Sequence, residues 1–299
     1  MNVLSLFDGI SCARIALERL NVPIDNYFAS EIDPHAIKVS QHNYPDIIHL
    51  GDVRDIKSDY LPPIDLLIGG SPCQDLSHAQ KGRGLQGEKS RLFYEYIRLY
   101  EALQPRHFLL ENVKSKWADL MSEIVGVQHI EINASLFSAQ SRPRCYWTNI
   151  NYPALPSQPN HETMEDILVS EVEEKYFMHK EGLSDFLESV SFSTSTSKER
   201  IVKLFDLPKS ILRDNERQRR IYARQSKSPT LLARSDTTKI YDAQRIRKLT
   251  PLECERLQKI PDNYTAIGSD TQRYKMIGNA FNVDTVAHIL KGVHKTHSL

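Results

Sequence analysis

The stretch DLLIGGSPCQDLS, residues 65–77, carries the reading of this chain. Its apolar run, residues 66–68, is what a buried strand needs, and it stops abruptly at Gly69 and Gly70. Cys73 then follows directly behind Pro72, a residue that fixes φ and offers no backbone N–H. Most free cysteines are small buried hydrophobes. Cys73 instead stands outside the apolar run, among Ser71, Gln74 and Asp75, where strand gives way to loop. A thiolate at a strand end is a nucleophile arrangement. The next loop, KGRGLQGEKSR (residues 81–91), is rich in glycine and charge and reads as a mobile basic lid over an anionic ligand.

Outward from this stretch the chain alternates between strand and helix patterns. VLSLF (3–7), NYFASEI (26–32), HFLLEN (107–112), HIEINAS (129–135) and RCYWTNI (144–150) are predicted strands. CARIALERL (12–20), PHAIKVSQHNY (34–44), SRLFYEYIRLYEAL (90–103) and KSKWADLMSEIV (114–125) carry apolar residues at helical spacing. The rhythm predicts an α/β fold, an open and mostly parallel sheet with helices on both faces. Ligands of such sheets sit at the carboxyl ends of the strands. After Ile150 the rhythm breaks at a proline-rich linker, NYPALPSQPNHE (151–162). The segment beyond it shows no clear alternation and turns basic, with twelve lysines and arginines against four acids between residues 209 and 248. Such a run is ordinarily a solvated helical face. Its clustering inside the one irregular segment tilts the reading toward a phosphate-binding surface. Order returns at TPLECERLQKIP (250–261), where Thr250 is the N-cap, Pro251 the first helical residue and Glu253 closes a capping box. A last helix is predicted from about 282 to 293.

The composition, 299 residues with 40% hydrophobic and 25% charged side chains, is that of an ordinary globular protein. Zero formal net charge excludes a global basic signature, so nucleic-acid binding would need local clustering. Cys12, Cys73, Cys145 and Cys254 form no pair with zinc spacing, and no metal is expected. A reducing, cytoplasmic setting is expected, with no signal peptide and no apolar run long enough to span a bilayer.

The predicted strand ends carry polar residues in succession. Gly9 in LFDGIS lies where backbone must approach a ligand closely, although GxGxxG is absent. Glu31 can accept hydrogen bonds from both ribose hydroxyls of an adenosine-type cofactor. Asp52 can take an adenine amino group. Each alone is more simply a solvated acid at a loop start. Glu111 closes an apolar strand, where burial would favour its protonated form; pairing with an arginine is the alternative. Arg142 and Arg144 flank a proline and could grip an anionic or carbonyl group, or form an ordinary surface pair.

Together these residues resemble the DNA (cytosine-5) methyltransferase family, in the family's order and over nearly the whole chain. FDGIS looks like the first cofactor motif, SEID and GDV like the second and third. GGSPCQDLS looks like the catalytic Pro-Cys motif, ENV and QSRPR like the Glu-Asn-Val and Gln-x-Arg-x-Arg motifs. RKLTPLECERLQKIPDNY and RYKMIGNAF look like the motifs that follow the recognition region. The pattern is similar to bacterial and phage members, with some likeness to the catalytic domains of animal de novo methyltransferases. Ser11 and Cys12 replace the later glycines usual in the first motif.

The resemblance implies a Rossmann-like S-adenosylmethionine-dependent methyltransferase fold with a smaller target recognition domain. Residues 1–150 plus about 272–299 would form the catalytic and cofactor-binding domain, about 151–244 the recognition domain, and about 245–271 a connecting segment. Cys73 would attack carbon 6 of a flipped cytosine and Glu111 would engage N3, with Asn112, Arg142 and Arg144 holding the nucleotide. Phe7, Gly9, Ile10, Ser11, Glu31, Ile32, Asp52, Val53, Pro72 and Asn279 would form the S-adenosylmethionine site, leaving S-adenosylhomocysteine as product. Ser77, Lys81, Arg83, Arg91, Thr230 and Arg234 would contact double-stranded DNA. The resemblance further implies a nucleoid-associated monomer whose cognate restriction endonuclease, if one exists, acts separately on the same site. The rivals are a tRNA cytosine methyltransferase, a catalytically weak DNA-binding scaffold and a nicotinamide-binding reductase. The last lacks its glycine fingerprint. Asp75-Leu76-Ser77 after Pro-Cys-Gln, in place of Phe-Thr, favours DNA over tRNA.

Overall fold

The computed structural model describes residues 1–72, 91–192 and 197–293. The chain divides into two compact units. One comprises Met1–Asn133, Pro143–Leu155 and Ala280–Leu299, the other Ala134–Arg142 and Pro156–Asn279. Residues 245–271 fall within the second.

The first unit is built on strands β1 (Asn2–Leu6), β2 (Asn26–Ser30), β3 (Ile48–His49), β4 (Leu66–Gly70), β5 (His107–Val113), β6 (Ile130–Asn133) and β7 (Pro143–Thr148). They form one sheet in the order β3-β2-β1-β4-β5-β7-β6. β1 to β5 pair parallel, and β7 runs antiparallel to both β5 and β6. The mostly parallel sheet expected from the alternation is present. Leu4, Leu6, Leu67, Phe108, Leu110, Cys145 and Trp147 share one hydrophobic cluster with Phe93, Tyr96, Ile97 and Leu99 of α3 (Leu92–Leu103) and Met121 and Val125 of α4 (Ala118–Val125). The intervening strand residues Val3, Leu66, Ile68 and Leu109 are buried too, so both faces are covered. That double coverage is why these strands read as continuous apolar runs.

α1 is Cys12–Arg19, and α2 (Pro34–Asn43) starts with Pro34 at its first position, capped by Asp33, which accepts from the His35 N–H at 3.0 Å. The last helix, α9 (Val283–Leu290), is capped by Asn282 accepting from Thr285 and packs against α1.

In the second unit a small sheet runs in the order β11-β10-β9-β8. Its strands are β8 (Lys203–Asp206), β9 (Arg220–Tyr222), β10 (Lys239–Asp242) and β11 (Arg245–Lys248). Strands of three or four residues are too short to show alternation, which is why the sequence pattern missed them. Phe205, Leu207, Ile221 and Ile246 centre its core, joined by Leu183 of α5 (Leu183–Ser189), while α6 is Glu216–Arg219. The predicted capping box opens α7 (Pro251–Leu257): Thr250 N–H donates to Glu253 Oε2 at 2.7 Å, and Glu253 N–H to Thr250 Oγ1 at 3.2 Å. α8 (Asp270–Asn279) closes the unit. Among the described residues no helix is long and apolar enough to cross a membrane.

Candidate active site

At the carboxyl end of β1 the backbone makes an unusual turn. Phe7, Gly9 and Ser11 all have positive φ, at 57°, 60° and 60°. Glycine takes that conformation freely, and the other two do so only where the surroundings hold them. Gly9 N–H donates to Glu31 Oε2 at 2.8 Å, and Glu31 Oε1 accepts from the Ile32 and Asp33 N–H groups, each at 2.8 Å. Glu31 therefore ties the end of β2 to the β1 turn. Ile32 beside it is 67% exposed, an apolar face at a strand end. Beyond β3, hydrogen bonds from the Arg54 side chain and backbone N–H hold the Asp52 carboxyl down at about 2. Arg98 of α3 donates to the Val53 and Ile56 carbonyls at 3.1 Å, fixing that loop.

These groups suit an adenosine-type cofactor. A glycine turn open to close approach, two carboxylates at successive strand ends and an exposed aliphatic face for a purine stand at one edge of the sheet. Ile10, Ser11 and Val53 are buried. Asn279 is exposed at the end of α8, in the second unit.

The ends of β4 and β5 carry the second set. Glu111 Oε1 accepts from Arg144 Nε at 2.9 Å, with both side chains 12% exposed. Of the two readings of Glu111, the structure contains the acid paired with an arginine. The pairing follows from register, since Glu111 of β5 stands opposite Tyr146 and Arg144 lies two residues along β7 on the same face. Gly70 makes room for the pair: a Cβ there would lie 2.7 Å from the Phe281 ring and 3.1 Å from Glu111 Oε2.

Three groups of residues expected at the site are already engaged within the fold. Asn112 is 1% exposed, and its amide donates to Ser71 Oγ at 2.9 Å and the Ser71 carbonyl at 3.3 Å. It thus braces the chain just before Pro72. Arg142 is not a partner of Arg144: it is buried in the second unit and donates to the Gly278 carbonyl at 3.2 Å. The basic run is largely consumed internally. Arg247 is fully buried between Asp242 and Glu253, Arg224 binds Glu165 and Asp242, and Lys227 donates to the Ser138, Asn160 and Glu162 carbonyls. Burial brings the Lys227 amine down to about 8.

Thr230 is also engaged, donating from Oγ1 to the Ser141 carbonyl at 2.8 Å. Arg234 is exposed and, with the Gln218 amide turned to satisfy its neighbours, donates to Gln218. Arg91 is exposed at the start of α3. A shallow pocket in this unit is lined by Arg217, Gln218, Arg220, Thr230 and Lys239, among others. Cys73, Ser77, Lys81 and Arg83 lie outside the described residues.

The described cysteines, Cys12, Cys145 and Cys254, are all buried, and burial raises the Cys145 thiol to about 11. His129, Glu131 and Cys145 place ligand-type atoms within 4.8 Å of one another. Lys114 pairs with Glu131 at 2.5 Å.

A family model described as C-5 cytosine-specific DNA methylase matches residues 1–118 and 124–295. The chain belongs to that family. This methylase is 30% identical over 307 residues to the type II methyltransferase M1.ScrFI of Lactococcus lactis subsp. cremoris, covering 95% of this chain and 75% of that one. It is 28% identical to the type II methyltransferase M.Bsp6I of Bacillus sp. (strain RFL6), covering 99% of each. Among solved structures, the Entamoeba histolytica methyltransferase EhMeth superposes with a TM-score of 0.72 at 17% identity, over 99% of this methylase and 98% of that chain. The S. pombe Dnmt2 methyltransferase gives 0.68 at 16%, over 98% and 99%. Both share the S-adenosylmethionine-dependent methyltransferase fold with this methylase.

Proposed function

We propose that this methylase transfers a methyl group to carbon 5 of a flipped cytosine within a specific sequence of duplex DNA. Cys73 is the nucleophile, attacking carbon 6. Glu111, held by Arg144, engages ring N3 so that electron density builds at carbon 5. S-adenosylmethionine, when bound, supplies the methyl group. Loss of the carbon-5 proton and departure of the Cys73 sulfur then release 5-methylcytosine.

Gly9, Glu31, Ile32 and Asp52 would hold the cofactor through its backbone contacts, ribose and adenine, with the Phe7, Ile10, Val53, Pro72 and Asn279 positions around it. The observation that carries this reading is the Glu111–Arg144 pair at the end of β5, beside the β4 end from which the Pro-Cys step continues. We assign the first unit to catalysis and the second to target recognition, with Thr230 and Arg234 at the DNA surface together with Ser77, Lys81, Arg83 and Arg91. The enzyme acts as a monomer, needs no metal, works in the cytoplasm at the nucleoid, and any cognate restriction endonuclease acts on the same site without forming a complex.

The test is transfer of labelled methyl groups from S-adenosylmethionine to mixed-sequence duplex DNA and, separately, to tRNA, with Cys73→Ala alongside. Label in DNA that disappears with Cys73→Ala is the expected result, and sequencing the modified cytosines gives the site. Label in tRNA alone would replace this reading with the RNA enzyme. No label in either would leave a DNA-binding scaffold.

A further inference from the structure

The first cofactor motif of this chain departs from its family at Ser11 and Cys12, and the fold shows how the departure is accommodated. Ser11 is the N-cap of α1, yet its side chain makes no cap hydrogen bond. Its hydroxyl lies 2.5 Å from Asp8 Oδ2 and 2.6 Å from Ser40 Oγ of α2. The other Asp8 oxygen accepts from the Tyr27 hydroxyl of β2 at 2.8 Å. All four side chains are buried. The backbone is pinned at the same place, with Asp8 N–H donating to the Ser30 carbonyl and Ser11 N–H to the Asp8 carbonyl, both at 3.0 Å. Cys12, in the second of the two positions, is buried at the start of α1.

Building on the cofactor reading above, we infer that the buried Asp8–Ser11–Tyr27–Ser40 cluster replaces the missing glycines in holding the β1 turn in its cofactor-binding shape. A glycine at position 11 would adopt positive φ without help. A serine there needs compensation, and its hydroxyl supplies it by joining the β1 turn to α2, while Asp8 ties the same turn to β2 through Tyr27. Ser11 and Asp8 are therefore positioning residues: they shape the turn whose Gly9 and Glu31 face the ligand.

The experiment measures S-adenosylmethionine and duplex DNA affinities by calorimetry for the wild type, Ser11→Ala and Ser11→Gly, with melting temperatures taken without cofactor. Ser11→Ala keeps the strained backbone and loses the hydroxyl, so cofactor binding should weaken about tenfold, the size of one buried hydrogen bond left unmade. Ser11→Gly loses the hydroxyl but relaxes the backbone, so it should stay within about threefold of wild type. DNA affinity should not move in either variant. If Ser11→Ala fails to fold, Ser40→Ala removes only the far partner and should weaken cofactor binding by about threefold. Wild-type affinity in Ser11→Ala, equal losses in the alanine and glycine variants, or a matching loss of DNA affinity would each overturn the inference. A folded wild type that binds no S-adenosylmethionine would instead overturn the cofactor reading beneath it.

Discussion

The strand ends of the first unit and the basic run of the second were read from the same kind of signal, charged residues at suggestive positions. They came out differently. Glu31 follows β2 and Glu111 lies near the end of β5, as the alternation expected, with Arg144 beside Glu111 and Asp52 beyond β3. Three cations of the second unit, Lys227, Lys239 and Arg247, are buried, and others such as Arg224 are spent on neighbouring carboxylates, while Lys209, Arg213, Arg217 and Arg234 stay exposed. A carboxylate at the end of a buried strand has one place to go, since the strand fixes its position and direction. A cation on a long side chain goes wherever tertiary structure offers a partner.

Four measurements would break or sharpen that contrast. The largest effect is expected at Arg247, whose guanidinium meets Glu253 with both groups fully buried. Arg247→Ala strands those charges and should cost about 3–5 kcal/mol of unfolding free energy in urea. An effect below 1 kcal/mol would return Arg247 to the ranks of surface cations. Next comes Gly70→Ala, which drives a methyl into the Phe281 ring beside Glu111. It should destabilise by about 1–3 kcal/mol, with methyl transfer falling and partly recovering in Gly70→Ala/Phe281→Leu.

Arg217 and Arg224 separate free from consumed cations. Arg217 is exposed, with no ion pair among the described residues, whereas Arg224 binds two carboxylates. Arg217→Ala should reduce the salt slope of DNA binding by about one, and Arg224→Ala should leave it unchanged. Equal slopes would erase the distinction.

The smallest effect concerns Asp8. Burial pushes its carboxyl up to about 6, against hydrogen bonds from Ser11 and Tyr27 that pull it down. The folded state then binds the extra proton between the ordinary carboxylate range near 4 and about 6. Asp8 consequently stabilises the fold most at low pH, and that contribution is lost as pH rises through about 6. Unfolding free energies of wild type and Asp8→Asn should diverge across that window and run parallel above it. A constant difference from pH 4 to 7.5 would show that Asp8 does not titrate there.

Much of this protein is legible in its sequence. Alternating apolar runs in the first half gave the mostly parallel sheet, because strands buried on both faces must be apolar throughout. Local chemistry gave the start of α2 at Pro34 and of α7 at Thr250-Pro251, since such signals involve residues within one turn of each other. The order of short motifs gave the family and the candidate nucleophile, acid and cofactor edge.

Other features depended on residues far apart in the chain. The small sheet of the second unit has strands too short to leave a periodic trace. Asn112 became a brace for Ser71 because parallel pairing sets β4 beside β5, 41 residues away. Arg142 and Arg144, two residues apart, were sent to different units because β7 begins between them. Ser11 met Ser40 only because β2 and α2 return to the β1 turn. Sequence periodicity and capping express forces that act within a few residues. The partner of a buried polar group is chosen by desolvation, which acts on whatever the fold brings near.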